Sequence, residues 1–249
     1  MGELGIREVF GLDPLPLLLR EAWMALRGDA SVPKTRFDTT SLKILRPELS
    51  LRTWLGQRRE DRLIPLYNLV NHTPTPVEEG WSVRKTQVQD FRGKSLTYDS
   101  HNGTDFAIPV GTLVVAPAAG RVLRISSEFH RGGLKIFIDH GRGLFTTSNH
   151  LGRALVSVGE RVRRGQPIAL SGYSGLDGFA AFPWSVPHVH FNVWLGGRTA
   201  DPFALTGEEA LWLEGNEPRP PSREDDDYQP TRFDRAAILR AIDACKDPA

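Results

Sequence analysis

Hydrophobic and polar residues alternate strictly between Pro187 and Leu195. As a strand, this stretch puts Val189, Phe191, Val193 and Leu195 on one side and His188, His190, Asn192 and Trp194 on the other. The first set predicts a core-facing surface. The second sets two imidazoles side by side, which is either a metal-and-base constellation or a solvated strand face. Short apolar runs recur at 113–116, 121–125, 134–138, 144–147 and 167–170, parted by Gly and Pro. No long helical period interrupts them, so residues 85–205 predict an all-β, antiparallel domain.

The flanks carry a different period. Leu15, Leu18, Leu19, Ala22, Trp23 and Leu26 recur at helical spacing, with Asp13 as N-cap, Pro14 at the first helical position and Gly28 beyond the end. This predicts a helix packed on the body by that stripe. A short helix opens at 51–55, the charge run 58–62 predicts a solvated face, and 71–76 reads as a loop in which His72 is structural or exposed. At the other end, 214–230 is acidic and Pro-rich, an extended linker. Asp234 then caps a helix with Ile238, Leu239, Ile242 and Cys245 on its apolar face, which makes Cys245 a small core residue. The fold class is mainly β, with helical flanks at 1–84 and 206–249.

Composition narrows the function. The 249 residues allow one sizeable core with appendages or two small domains. Lys and Arg total 31 against 30 acidic residues, so no basic excess points to a nucleic-acid partner. One cysteine excludes an internal disulfide and a cysteine-based metal cluster. No stretch is apolar enough to span a bilayer, and Glu3, Glu8, Asp13 and Pro16 break up the start as a secretory signal.

Further chemistry lies upstream of the histidine pair. His101-Asn102-Gly103-Thr104-Asp105 reads as a turn entering a strand, with Asp105 and Ala107 on one side and Phe106 and Ile108 on the core side. His101 and Asp105 can converge across that turn, or simply hydrogen-bond to fix it. His150 ends a strand, and 159–168 is a Gly-bounded hairpin with Val162 turned inward. His140 reads as structural, His130 as a solvent-facing loop residue, and Asp201 as fixing a turn. Phe179, Phe182 and Trp184 either line a cleft or pack under the flanks.

His-x3-Asp, a His-Leu at a strand end, Gly-x2-Val-x2-Gly-Gln-x-Ile and Pro-His-x-His-Phe occur in that order. Together they resemble the lysostaphin/LytM-type zinc metallopeptidases, a duplicated-hybrid-motif β-fold that cuts peptide cross-links in bacterial cell walls. The chain departs from that pattern at Ser148, where an aromatic is usual, and at Asn102 and Thr104. The resemblance implies one zinc per chain, held by His101, Asp105 and His190, with His150 and His188 as the catalytic pair. Such a donor set leaves a fourth position for water and a net positive ion that acidifies it. The implied activity is endopeptidase hydrolysis of peptidoglycan or a similar peptide, in the periplasm or the cell wall if the chain is exported. A non-catalytic relative that activates amidases or binds wall is the alternative. In some relatives an upstream Asn supplies the fourth ligand, a latency that the Asn71-His72 loop could provide here.

Overall fold

The computed structural model describes residues 3–57, 64–73 and 75–211. The 58–62 charge run, the 214–230 stretch and the helix expected around Cys245 lie outside the described residues.

Before the β domain come α1 (Ile6–Phe10), α2 (Leu15–Arg27), β1 (Thr35–Arg36), α3 (Pro47–Trp54), β2 (Leu66–Asn68) and β3 (Trp81–Ser82). Then follow β4 (Thr104–Ala107), β5 (Leu113–Val115), β6 (Gly120–Glu128), β7 (Gly133–Gly141), β8 (Leu144–Ala154), β9 (Arg161–Val162) and β10 (Pro167–Ser171). The short helix α4 (Leu176–Ala180) precedes β11 (His188–Leu195) and β12 (Arg198–Ala200). The main sheet runs β2-β4-β11-β8-β7-β6-β9, with β10 joined to β8 and β5, and β12 joined to β11. All its pairings are antiparallel, as the alternating runs predict; β1 and β3 form a separate parallel pair.

Local sequence explains the register. Arg142 and Gly143 join β7 to β8 with φ of 54° and 82°, the doubly left-handed turn whose twist suits a two-residue hairpin. Val122, Ile136, Ile138, Leu151, Ile168 and Val189 then meet in one core, and Val162 of the predicted hairpin is buried in it. The most consequential pairing is that of β11, which lies between β4 and β8. His190 stands opposite Asp105 on one side and Asn149 on the other.

Two expectations change. The face of β11 carrying His188, His190, Asn192 and Trp194 is fully buried, whereas Leu195 at the strand end is exposed. The expected stripe of α2 is largely turned to solvent: Leu15, Leu19, Trp23 and Leu26 are exposed, and of the stripe only Leu18 is buried, beside Glu21 and Ala25. Pro14 takes the N-cap, and Gly28 ends the helix as expected. The buried Glu21 faces His130 of the β domain.

The segments before the β domain clasp the loop between β10 and β11. Ser50 Oγ donates to the carbonyls of Pro183 and Ser185, at 2.6 and 2.7 Å, and Trp54 Nε1 donates to Ser185 O. Phe10 fits between Trp54, Phe179 and Phe182 at ring separations of 5.7 to 6.0 Å. Phe179 and Phe182 thus pack against the N-terminal elements, with about half of each surface left open.

Candidate metal centre

His101, Asp105 and His190 are buried, and their ligand atoms lie within 4.8 Å of one another. The turn at 101–103 delivers His101 to the start of β4, and antiparallel pairing sets His190 directly across from Asp105. His101 Nε2 is 3.1 Å from His190 Nδ1 and 3.0 Å from Asp105 Oδ2, and Asp105 Oδ1 is 2.8 Å from His190 Nδ1.

Outer hydrogen bonds decide which ring nitrogens carry protons. His101 Nδ1 is 2.7 Å from the carbonyl of Leu69, which can only accept, so Nδ1 is protonated and Nε2 holds a lone pair. Asn192 Nδ2 donates to Asn102 Oδ1, while Asn192 Oδ1 accepts from Thr147 and Asn149. Asn102 therefore presents oxygen to His190 Nε2 at 3.2 Å, which places that ring's lone pair on Nδ1. Two lone pairs and a carboxylate now face one another with no proton of their own between them, and a cation is what such a cluster requires. The edges of this cluster approach the about 3.3 Å edge of a tetrahedron built with zinc–ligand bonds near 2.05 Å. The residues fit a metal ion.

Electrostatics agree. Burial acts to raise Asp105, but His101, His188 and His190 around it outweigh that and hold its carboxyl well below the ordinary range. Burial lowers His190 against the opposing pull of Asp105, and it pushes His188 down to about 3. Both are neutral imidazoles at neutral pH, the form that ligates a metal or accepts a proton.

His150 and His188 adjoin this cluster with ring centroids 4.6 Å apart. His150 does not end a strand. It sits inside β8 at a bulge, where Leu134 and Ile136 of β7 face Leu151 and Ser148, so β8 carries one extra residue. Its φ of 61° is a left-handed conformation that costs a non-glycine residue of order 1 kcal/mol. Its backbone is held by Gly132 O and Gly172 N, and its Nδ1 donates to Ser174 O at 2.8 Å. His188 Nδ1 donates to Val186 O at 2.7 Å, with Tyr67 Oη 2.8 Å away. Each ring therefore carries a proton on Nδ1 and turns Nε2 the other way. That of His188 lies 3.5 Å from Asp105 Oδ1, and that of His150 lies 3.9 Å from Asp177 Oδ2.

Four supporting residues have no sequence pattern to announce them. Tyr67 and Asn68, in the short β2, reach His188 and Asp105; Asn68 Nδ2 donates to Asp105 Oδ2 at 2.8 Å. Asn102 stood out only as a departure, and Asn192 only as a member of the His190 face. The Asn71-His72 loop, in contrast, does not cover the centre. Asn71 Nδ2 binds the carbonyls of Thr73, Gln87 and Asp99, and His72 pairs with Asp201, which also accepts from Phe203 N to fix its turn. His140 is structural, held by Ala119 O and Thr146 Oγ1. His130 is not solvent-facing: it is buried against Glu21 of α2.

A family model described as Peptidase family M23 matches residues 99–202. The chain is 38% identical over 98 residues to the peptidoglycan DD-endopeptidase ShyA of Vibrio cholerae, covering 39% of this chain and 21% of that one. It is 40% identical over 98 residues to the murein hydrolase activator EnvC of Escherichia coli, again covering 39% and 21%. Among solved structures, a zinc containing peptidase from Vibrio cholerae aligns with 28% identity and a TM-score of 0.42, covering 58% of this chain and 37% of that one. The chain spans between 21% and 27% of the length of such curated relatives. Residues 99–202 thus match peptidase family M23 over a segment that holds His101, Asp105, His150, His188 and His190.

Proposed function

We propose that this chain is a zinc metalloendopeptidase that hydrolyses peptide bonds in peptidoglycan cross-links. The observation that carries the reading is the cluster of His101 Nε2, Asp105 and His190 Nδ1, three electron-pair donors turned on one point by hydrogen bonds behind them. These residues would hold zinc, which, when bound, polarises a peptide carbonyl and makes water a competent nucleophile near neutral pH.

The remaining steps belong to the chain's own side chains. His188 Nε2, beside Asp105, accepts a proton from the attacking water, while Val186 O stabilises the Nδ1–H of the resulting imidazolium. His150 Nε2, on the side of Asp177, holds a proton with that carboxylate as counter-charge and delivers it to the leaving amine. Tyr67 fixes the His188 ring, and burial keeps its phenol neutral by raising its pKa well above the ordinary value.

The similarity to EnvC favours a second reading, an amidase-activating or wall-binding module without catalysis. Full occupancy of the donor and base positions speaks for the enzyme. The test is incubation of the zinc-loaded protein with purified cross-linked muropeptides and mass spectrometry of the products. Chelator-reversible cleavage with about one zinc per chain is expected. A protein that takes up no zinc when metal is in excess rules the proposal out, and one that takes up zinc but cleaves nothing moves the assignment to the activator.

A further inference from the structure

Helix α2 is held to the body by one side. Leu18, Glu21 and Ala25 are buried there, and Glu21 faces His130 of the β domain. At 3.6 residues per turn, Leu15, Leu19, Trp23 and Leu26 fall within about 80° of one another on a different side. Each is more than half exposed, from 54% to 70%, so the row stands open to solvent. Phe37, also exposed, lines the same cavity as Leu26 and widens the patch beside that end. A contiguous apolar surface of this kind marks a site of association.

Charge decides what the row fits. Arg20 and Arg27, both exposed, follow within about 60° of Trp23 around the helix. The Arg27 guanidinium sits 4.2 Å from the centroid of the Trp23 ring. The one acid of α2 is Glu21, on the buried side. Asp13 and Asp29, just beyond its two ends, are engaged by Arg7 and by the backbone of Ser31 and Val32. Leucines and a tryptophan bordered by arginines make up a helix that lies in a lipid interface. A second copy of the chain fits less well. Four partly open side chains offer a few hundred Å², short of the roughly 800 Å² per partner of a stable dimer. A self-complementary contact through the row also brings no acid to Arg20 and Arg27. The helix lies on such a surface rather than crossing it. Its 13 residues rise about 20 Å against a hydrocarbon core of about 30 Å, and no described helix is long and apolar enough to span.

We propose that α2 docks this protein on an anionic lipid bilayer, with Leu15, Leu19, Trp23 and Leu26 among the acyl chains and Arg20 and Arg27 at the phosphates. Leu26 also lines the cavity of about 420 Å³ onto which Asp105, His150, His188 and His190 face. Docking therefore brings the candidate metal centre close to the bilayer. The inference stands apart from the endopeptidase reading, because it uses none of the residues that would hold zinc.

The test is co-sedimentation of the full chain with vesicles, one set of pure phosphatidylcholine and one of phosphatidylcholine mixed with phosphatidylglycerol. Binding should favour the anionic set and weaken as salt screens the arginines. Arg20→Gln together with Arg27→Gln should cost about 30-fold in affinity, at about fivefold for each cation lost. Leu19→Glu should cost at least about tenfold. Both changes fall on exposed side chains, so melting temperature and zinc uptake should match wild type. Brominated acyl chains should quench tryptophan fluorescence on binding, and Trp23→Phe should still bind but lose that quenching. Equal sedimentation with both vesicle sets, or full binding by the Leu19→Glu protein, overturns the proposal. Quenching that survives in Trp23→Phe puts the contact elsewhere and overturns it too. Dimerisation that Leu19→Glu abolishes, with no vesicle binding, gives the row to a second copy instead.

Discussion

Asn102 and Asn192 touch no substrate in this reading, yet the chemistry of His190 depends on them. The donor face of a histidine is set by the hydrogen bond on its other nitrogen. If Asn102 is replaced by Ala, His190 loses the acceptor that holds the proton on Nε2, and the Nδ1 lone pair is no longer enforced. Zinc affinity should fall about 10- to 100-fold, measured by competition with a chromogenic chelator. His190→Ala should abolish stoichiometric zinc, whereas His188→Ala should keep it and lose turnover by about 100-fold or more. Neighbours on the same strand face would then fail in different ways. A His188→Ala protein that keeps wild-type turnover ends its assignment as the base.

The bulge in β8 shows what sequence can and cannot convey about an element. Alternation placed β6, β7, β8, β10 and β11 because a half-buried strand needs a period of two. It ended β8 near residue 147 because Ser148, Asn149 and His150 lack that period, while the strand continues to Ala154 through the irregularity. The bulge depends on a close approach that only glycine permits. A Cβ on Gly133, at φ 60°, would lie 2.2 Å from Ser174 Oγ and 2.3 Å from that residue's carbonyl carbon and oxygen. Ser174 O is also the acceptor for His150 Nδ1. Gly133→Ala should therefore destabilise by about 3 kcal/mol and misplace His150 as well, so that residual folded protein shows lowered kcat with zinc retained. The same substitution at Gly111, where φ is also positive but nothing lies within 4 Å of the Cβ, should cost only about 1 kcal/mol, read in both cases by thermal denaturation.

Acid should loosen the molecule as a whole. Asp90 is held at about 2 and Glu128 below its ordinary value, each against the cost of burial, by Arg92 and backbone amides in the one case and Lys135 in the other. A carboxylate with a depressed native pKa binds fewer protons folded than unfolded. The stability it contributes is complete above the unfolded pKa and declines as pH falls through the folded one. Asp201, raised by burial, works in the opposite direction and offsets part of this. Melting temperature should thus drop between about pH 5 and pH 2, and a flat profile there would mean these pairs form equally well in the unfolded chain.

How the N-terminal elements join the β domain is the feature least legible in the sequence, because it rests on contacts between residues far apart along the chain. The apolar stripe of α2 pointed to the wrong face, and the buried Glu21 acquires meaning only from His130, which lies over a hundred residues away. Tyr67, Asn68 and the carbonyl of Leu69 support the centre from a strand of three residues, too short for a period to show. These contacts fix what removal of the N-terminal region should do. Were residues 1–81 a cover over the metal, a chain starting at Ser82 would gain activity. Instead, that deletion strips β2 from the sheet, the Nδ1 acceptor from His101, the phenol from His188 and Glu21 from His130. A chain starting at Ser82 should bind zinc more weakly and hydrolyse muropeptides more slowly than the full chain. Phe10→Ala offers a gentler version, loosening only the ring cluster of Trp54, Phe179 and Phe182 at a cost of about 3 kcal/mol, with KM rising more than kcat falls. Faster hydrolysis by the shortened chain would show that these elements restrain the site they help to build.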